Sequence, residues 1–288
     1  MVSGDYLRFG KAVPNKVDQT YPFADIELAR RLERTEAQGN IDFVEARAIA
    51  FPDRGATRIE VAGTFAMFDG VGSPLTQTFG LGTFQPITAE QMDEIEAFYQ
   101  SRGAEIVHEV CPLADASVFE LFRERGYQPV EFSNVMYRPI DPELRLAASR
   151  NERIKVRVTE KSEIDLWAQT ACEGWSEFSE VADFLRELNQ VFAHSKGPTF
   201  LAELDGEAIA TGALTIGADV ALLAGASTVP NARRQGAQLA LLEKRLRYAA
   251  TLGCSVAMMV ALPGSGSQRN AERHGFRIAY TRTKWRHD

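Results

Sequence analysis

The sequence predicts an α/β protein built as two tandem copies of one plan, each a mixed central β-sheet flanked by helices. Strand-like and helix-like periodicities alternate along the chain rather than segregating. A repeated spacing supports two copies: a helix-ending glycine precedes a glycine-aromatic pair by 23 residues from Gly103 to Gly126, and by 22 from Gly253 to Gly275. A seam lies between them, where Pro139 and Pro142 follow the strand-like run Val135-Met136-Tyr137, and Ser149-Arg150-Asn151 precedes a new alternating run. The expected division is a first unit over 1–140, a linker over 141–151 and a second unit over 152–288.

Within the second unit, Ile154, Val156 and Val158 alternate with Lys155, Arg157 and Thr159, as in a strand with one buried face. Ser162, with Asp165 three residues on, marks a helix running to Gly174. A second helix is expected from Ser179 to His194, where Val181, Phe184, Leu185, Leu188 and Phe192 fall at helical spacing. Residues 199–204 and 208–216 read as a hairpin, because Asp205-Gly206 supplies the positive φ of a tight turn. The apolar strand 220–228 leads through a polar turn into a helix from Ala237 to Thr251, closed by Gly253. Residues 254–262 form a buried strand and 267–274 a short helix, and Gly275-Phe276 opens a last pair of strands containing Ile278 and Tyr280. In the first unit Thr88 starts a helix that stops at Gly103, 105–110 is a strand, 118–125 a helix, and Gly126-Tyr127 opens the final strands.

Composition bounds the function. With 288 residues, 45% of them hydrophobic, the chain can fill two cores, which excludes disorder. The cysteines Cys111, Cys172 and Cys254 are odd in number and far apart, and no histidines cluster, so neither a disulfide framework nor a metal site is expected. No secretory leader and no apolar run near the roughly 20 residues of a membrane span is read, so a cytoplasmic protein without a membrane partner is expected. The net charge of −7 is uneven: residues 229–288 hold 11 Lys and Arg against 3 Asp and Glu. Such an island attracts a polyanionic ligand or is a solvated basic surface, and the acidic remainder disfavours nucleic acid.

A strand running into a glycine-containing turn and then a helix aims unpaired backbone N–H groups and a positive helix end at one point. In the turn after Thr228, Arg233 and Arg234 add cationic side chains, Gly236 permits close approach, and Gln235 or Gln238 can donate amide hydrogen bonds. Read from these residues alone, the turn is either a phosphate site or an ordinary helix start.

The series of a strand, Thr228-Val229-Pro230-x-x-Arg233-x-x-Gly236, a helix, Gly253, a buried strand, a short helix and Gly275-Phe276 resembles the acyl-CoA-binding half of the GNAT superfamily of N-acyltransferases, over residues 154–288. The resemblance implies acetyl-CoA or another acyl-CoA as co-substrate, no metal, and direct attack by a primary amine, most simply of a small molecule, in a ternary complex. Ala226, Ser227, Thr228 and Val229 would then line the pantetheine arm, with a backbone N–H polarising the thioester carbonyl. Arg233, Arg234, Gln235, Gly236, Ala237 and Gln238 would hold the pyrophosphate, and Ser267 and Asn270 would complete the cofactor site. Trp175 and Phe178 would meet the acceptor.

Two departures stand out. Gln238 occupies the last position of the turn, where relatives carry a small residue. Ala271 stands where many carry a tyrosine that protonates the leaving thiolate, which leaves Ser267, Tyr280 or water, although a thiol of pKa ~8.5 needs little help. Glu173, His194 and Asp219, each at an element end, are the candidate bases. The first unit lacks the basic turn, having Leu81-Gly82-Thr83-Phe84-Gln85-Pro86 instead, and reads as a degenerate copy that covers or walls the acceptor cleft; His108, Glu109 and Cys111 there read as structural. In the long helix, Leu239, Leu242, Leu246 and Ala249 form one apolar stripe, and Leu241, Tyr248 and Leu252 a second that offers a face for the companion unit or a homodimer. A non-catalytic acyl-CoA sensor and a protein lysine acetyltransferase are the competing expectations.

Overall fold

The computed structural model describes residues 21–141, 151–177 and 187–287. Phe178, Phe184 and most of the expected helix from Ser179 lie outside them. The strands are β1 (Thr57–Val61), β2 (Thr64–Phe68), β3 (Gln77–Phe79), β4 (Val107–Val110), β5 (Gln128–Pro139), β6 (Ile154–Val158), β7 (Thr199–Leu204), β8 (Glu207–Gly217), β9 (Val220–Thr228), β10 (Val256–Ala261) and β11 (Arg277–Arg286). They form one mixed sheet in the order β1-β2-β3-β4-β11-β5-β10-β9-β8-β7-β6. The helices are α1 (Ile26–Ala50), α2 (Ala89–Gln100), α3 (Ala116–Arg125), α4 (Ile164–Gly174), α5 (Leu188–His194), α6 (Ala237–Thr251) and α7 (Gly266–Arg273).

The middle of the sheet departs from the sequence expectation. A single long strand, not a pair, follows each glycine-aromatic dipeptide, and the two long strands are interleaved. The last strand, β11, is antiparallel to β4 on one side and to β5 on the other. In turn β5 lies between β11 and β10, with Val260 opposite Val135. Each long strand thus obtains from the other half of the chain the neighbour that a local hairpin would have supplied. Neither half presents an open sheet edge at the seam, so the pairing is continuous across it.

Side chains of alternate strand residues point to opposite faces. Val135, Tyr137, Val220, Leu222 and Met258 face α1, whereas Met136, Ala221, Leu223 and Ala257 face α6 and α7. In the first half Phe65 and Met67 pack under α1, and Ala66 and Phe68 pack with α2 and α3. The sheet is therefore sandwiched, with α1, α4 and α5 on one side and α2, α3, α6 and α7 on the other.

Helix α1, absent from the sequence reading, spans both halves. Asp25 caps it by accepting the Leu28 N–H at 3.0 Å. It crosses β8 closely because small residues meet there: a Cβ added at Gly39 would sit 2.8 Å from Thr215 Oγ1, and one at Gly217 would sit 2.7 Å from Thr35 Oγ1.

The two stripes expected on α6 are one broad apolar face. Leu241, Leu242, Leu246 and Ala249 are all buried against the sheet, and Tyr248 packs edge-on against Phe200 at 5.5 Å. Of the proposed second stripe only Leu252 is exposed, which removes the reason for expecting a second copy on that helix.

Where α1 crosses β11, charge is buried. Arg282 of β11, 2% exposed, meets Glu36 with both oxygens at 2.8 and 3.0 Å, Glu33 at 3.5 Å and Glu109 at 2.9 Å. Burial pushes the Glu33 carboxyl up to about 7. No disulfide joins the three cysteines, and burial pushes the Cys111 thiol up to about 12.

Candidate functional site

The parallel strands β9 and β10 pair only at Val220, Ala221 and Leu222, opposite Val256, Ala257 and Met258, and then part. At the parting β9 carries a bulge: Ala213 faces Ala224, Thr211 faces Ser227, and Gly225 takes a φ of +60°. In this otherwise buried strand Ala224 and Ala226 are exposed.

Five consecutive carbonyls of the parted segment accept hydrogen bonds from side chains. Arg245 donates to Ala224 O at 3.1 Å, Thr211 to Gly225 O at 3.1 Å, Trp175 Nε1 to Ala226 O at 3.2 Å, Gln238 to Ser227 O at 2.8 Å and Arg233 Nε to Thr228 O at 3.3 Å. Donors from the C-cap of α4, β8, α6 and the turn thus hold the bulge in one conformation, the preorganisation an acyl-transfer site needs.

Beyond Thr228 a short 3₁₀ turn (Pro230–Ala232) leads to α6. Arg234 has a φ of +64° and Gly236 one of +96°, flanking Gln235 in a concave backbone turn. Among the described residues, no protein acceptor meets the backbone N–H groups from Arg234 to Gln238, and α6 lacks a side-chain cap. A Cβ added at Gly236 would meet nothing within 4 Å. A diphosphate fits such an open cradle at a helix N-terminus.

The side chains of the turn are placed less uniformly than the sequence expects. Arg233 turns away from the cradle: besides Thr228 O it reaches Gly174 O at 3.3 Å and Glu177 at 2.8 Å, so it straps the turn to the end of α4. Arg234 is exposed and has no ion-pair partner among the described residues. Gln235 is half-buried and accepts from Asn151 through its carbonyl at 3.3 Å. Gln238 bonds Ser227 O and Thr228 Oγ1, both at 2.8 Å, so its side chain lies back on β9 and leaves the cradle open. Val229 and Ala237 are buried, anchoring the two ends of the turn. The basic island is largely consumed elsewhere: Arg245 and Arg282 are buried, and Arg247 pairs with Glu243.

Ser227 is buried, its Oγ 2.8 Å from Thr211 Oγ1 and so close to α4 that a Cβ at Gly174 would lie 2.5 Å away. Ser267 and Asn270 are exposed on α7. Ala271 is 1% exposed and packed in the core, so position 271 points away from solvent in this fold.

The expected acid and bases are scattered. Asp219 lies at the closed end of the β9/β10 pair, roughly 17 Å of strand from Ala224. It is tied to Arg31 at 2.7 Å and Ser255 at 2.5 Å, contacts that outweigh its partial burial and hold its carboxyl below the usual range. Tyr280 is buried under α1, donating to Glu33 at 2.8 Å, and desolvation drives its hydroxyl far above the usual value. Glu173 is exposed on α4, bonded by Gln169 at 3.0 Å, and His194 is exposed at the end of α5. Of the two acceptor residues expected, Trp175 is at the site.

In the first half, β3 and β4 form the comparable parallel pair, joined at Thr78 and His108. The turn after β3 is filled by protein: a Cβ at Gly82 would lie 2.3 Å from Val118, one at Gly80 would lie 2.6 Å from the Phe84 ring, and Leu81 is fully buried. His108 bonds Thr78 through Nδ1 at 2.8 Å, and burial pulls it down to about 3. Glu109 engages Arg282, so the group His108, Glu109 and Cys111 is built into the core.

A cavity of about 340 Å³ opens at the β9 bulge on the α1 side of the sheet. Its floor includes Ala224, Gly225 and Val260, and its walls come from α1, α4 and α5. The contribution of α1, with Glu36, Asp42 and Phe43, escaped the sequence reading. The cap at Asp25 and the spacing of Leu28, Leu32, Ile41 and Val44 mark the helix, but its inward polar residues obscure the apolar face.

Among the described residues no helix is long and apolar enough to cross a membrane, and no group of three or more His, Cys, Asp or Glu is arranged to hold a metal ion. Residues 163–276 match the model of the acetyltransferase (GNAT) family. No curated protein matches the chain. Among solved structures, the fold is similar to a GCN5-related N-acetyltransferase from Kribbella flavida, at 16% identity over 90% of this chain and 95% of that one, with a TM-score of 0.63. It is also similar to a GCN5-related N-acetyltransferase from Sphaerobacter thermophilus, at 17% identity over 73% and 71% of the two chains, with a TM-score of 0.52. A tandem GNAT protein from the clavulanic acid biosynthesis pathway aligns at 12% identity over 68% of each chain, with a TM-score of 0.50. The match to the acetyltransferase (GNAT) family is thus carried by residues 163–276, and over most of its length the chain has a fold similar to that of GCN5-related N-acetyltransferases.

Proposed function

We propose that this acyltransferase moves an acetyl or other acyl group from acyl-CoA to the primary amine of a small molecule by direct attack in a ternary complex. The carrying observation is that one strand, β9, joins the two halves of such a site. Its end opens into the backbone cradle at 234–238, and its bulge, roughly 13 Å of strand earlier, floors the cavity. The co-substrate supplies a thioester carbonyl. The chain supplies placement: backbone N–H groups of the cradle take the diphosphate, the clamped bulge fixes the reacting end, and the cavity brings the acceptor to it. In the balanced reaction the amine nitrogen bonds the acyl carbon, the C–S bond breaks, and the proton lost by the amine is taken up by the thiolate.

The division into two units enters the same reading. The filled turn after β3 and the placement of α1 support a first half that is a degenerate copy, holding no acyl-CoA and walling the acceptor cavity.

A sensor that binds acyl-CoA without turnover is favoured by one observation, the burial of Ala271 in place of an acid. Calorimetric titration with acetyl-CoA, beside Gly236→Asp, tests the binding step. A carboxylate in the cradle should weaken binding by about 1–4 kcal/mol through repulsion, with added strain at positive φ. Equal affinity in both proteins refutes the cradle. Thioester consumption with an amine panel then separates enzyme from sensor, and acetyl-lysine formed in a cell extract would redirect the acceptor to protein.

A further inference from the structure

We propose that the acceptor is a small primary amine carried on an aromatic body. Its ring would be taken between Phe43, Trp167, Trp175 and Phe192, with its ammonium group toward Glu36 and Asp42 of α1. This inference rests on the acyltransferase reading and narrows it. Four aromatic rings, three on α1, α4 and α5 and one at the C-cap of α4, converge on the cavity, with Trp167 and Phe192 at 4.5 Å and Phe43 and Phe192 at 5.8 Å between centroids. Trp167 is locked by its indole N–H, which donates to Phe200 O at 3.2 Å and Gly212 O at 3.3 Å, and Trp175 is locked on Ala226 O. Rigid aromatic walls of this kind select a flat apolar body and attract a cation to their faces.

Charge sets the other half of the selection. Among the described residues lining the cavity the ionisable groups are both acidic, Glu36 and Asp42, and there is no lysine, arginine or histidine. Glu36 is held by Arg282, but that single arginine also faces Glu33 and Glu109. Asp42 accepts from Gln38 at 2.9 Å, and its cationic neighbour is the largely exposed Lys196 at 3.5 Å, a pair that solvent screens. An ammonium group is therefore welcomed at this end, and a carboxylate of the same shape is repelled. The cavity volume of about 340 Å³ suits a single ring with a short side chain and excludes a bulky polycationic acceptor.

The experiment compares 2-phenylethylamine with 3-phenylpropionate, nearly the same shape with opposite charge, by calorimetry with and without saturating CoA, alongside acetyl-CoA binding to the same preparation. The amine should bind at least 10-fold more tightly than the acid. It should weaken at least 10-fold in Asp42→Asn, whose acetyl-CoA affinity stays unchanged, and should be acetylated at its nitrogen. Equal binding of amine and acid, or no amine binding by a protein that binds acetyl-CoA, overturns the inference and leaves the acyltransferase reading intact. Amine binding without acetyl-CoA binding would overturn that reading instead. The wild-type comparison decides the matter even if the variant fails to fold.

Discussion

The side-chain amide of Gln238 donates to the carbonyl oxygen of Ser227 at 2.8 Å, joining the first turn of α6 to the last residues of β9. The larger residue that departs from the family pattern is thus a brace between cradle and bulge. Gln238→Ala should leave the fold intact and free the end of β9. With two bonds lost at about 0.5–1.5 kcal/mol each, acetyl-CoA affinity should fall by up to roughly 5–150-fold. Calorimetry of the variant reads this directly, and unchanged affinity would show that the brace is irrelevant to the cradle.

Arg233 and Arg234 should behave differently although they are adjacent. Arg233 is engaged with Glu177, Gly174 and Thr228, an exposed strap worth at most about 1 kcal/mol. Arg234 stands at the cradle without an ion-pair partner among the described residues. Arg234→Ala should therefore weaken acetyl-CoA by roughly 1.5–3 kcal/mol, and with a steeper loss of salt dependence than Arg233→Ala shows. The reverse order would place the diphosphate elsewhere.

Arg245 is buried beneath the bulge, donating to Leu241 O, Ala213 O and Ala224 O without a carboxylate partner among the described residues. Desolvation pulls it down to about 10, so it remains cationic at neutral pH. A Cβ at Gly212 would lie 3.0 Å from its guanidinium carbon, so the strand passes close over it there. Arg245→Met strands two carbonyls and should cost about 2–5 kcal/mol of stability, read as a lower denaturant midpoint. A change below about 1 kcal/mol would mean that water replaces the guanidinium.

Glu33 makes stability depend on pH. Burial raises its folded value to about 7 from an ordinary 4.5, so the folded chain holds this proton more tightly than the unfolded one. The stability this contributes is complete below about pH 4.5 and is lost as pH rises through 7. Glu33→Gln keeps a neutral side chain at every pH. It should flatten that part of the profile and exceed the wild type by roughly 1–3 kcal/mol above pH 8. Denaturant unfolding from pH 5 to about pH 9 measures it, and parallel profiles would remove Glu33 as the origin.

Much of the second half was legible in the sequence because its signals are local. The Asp205-Gly206 turn, with φ values of 53° and 94°, and helix α6 from Ala237 to Thr251 form where their own residues dictate. The alternation of β6 and the open turn at Gly236 need no distant partner to be recognised. The repeated glycine-aromatic spacing likewise located β5 and β11 before their neighbours were known.

Tertiary structure decided what depends on residues far apart in the chain. Periodicity shows that β11 is a strand but not that it lies between β4 and β5, since pairing partners are chosen by the whole sheet. Helix α1 hid its role because it buries residues toward both halves, Glu33 and Thr35 among them, so no single apolar stripe marks it. Asp219 and Tyr280 looked reactive by type, and only their partners Arg31 and Glu33 reveal them as structural ties. The sequence determined the cradle because backbone conformation makes it, whereas the cavity exists only where α1, α4 and α5 meet the β9 bulge, a convergence that packing alone creates.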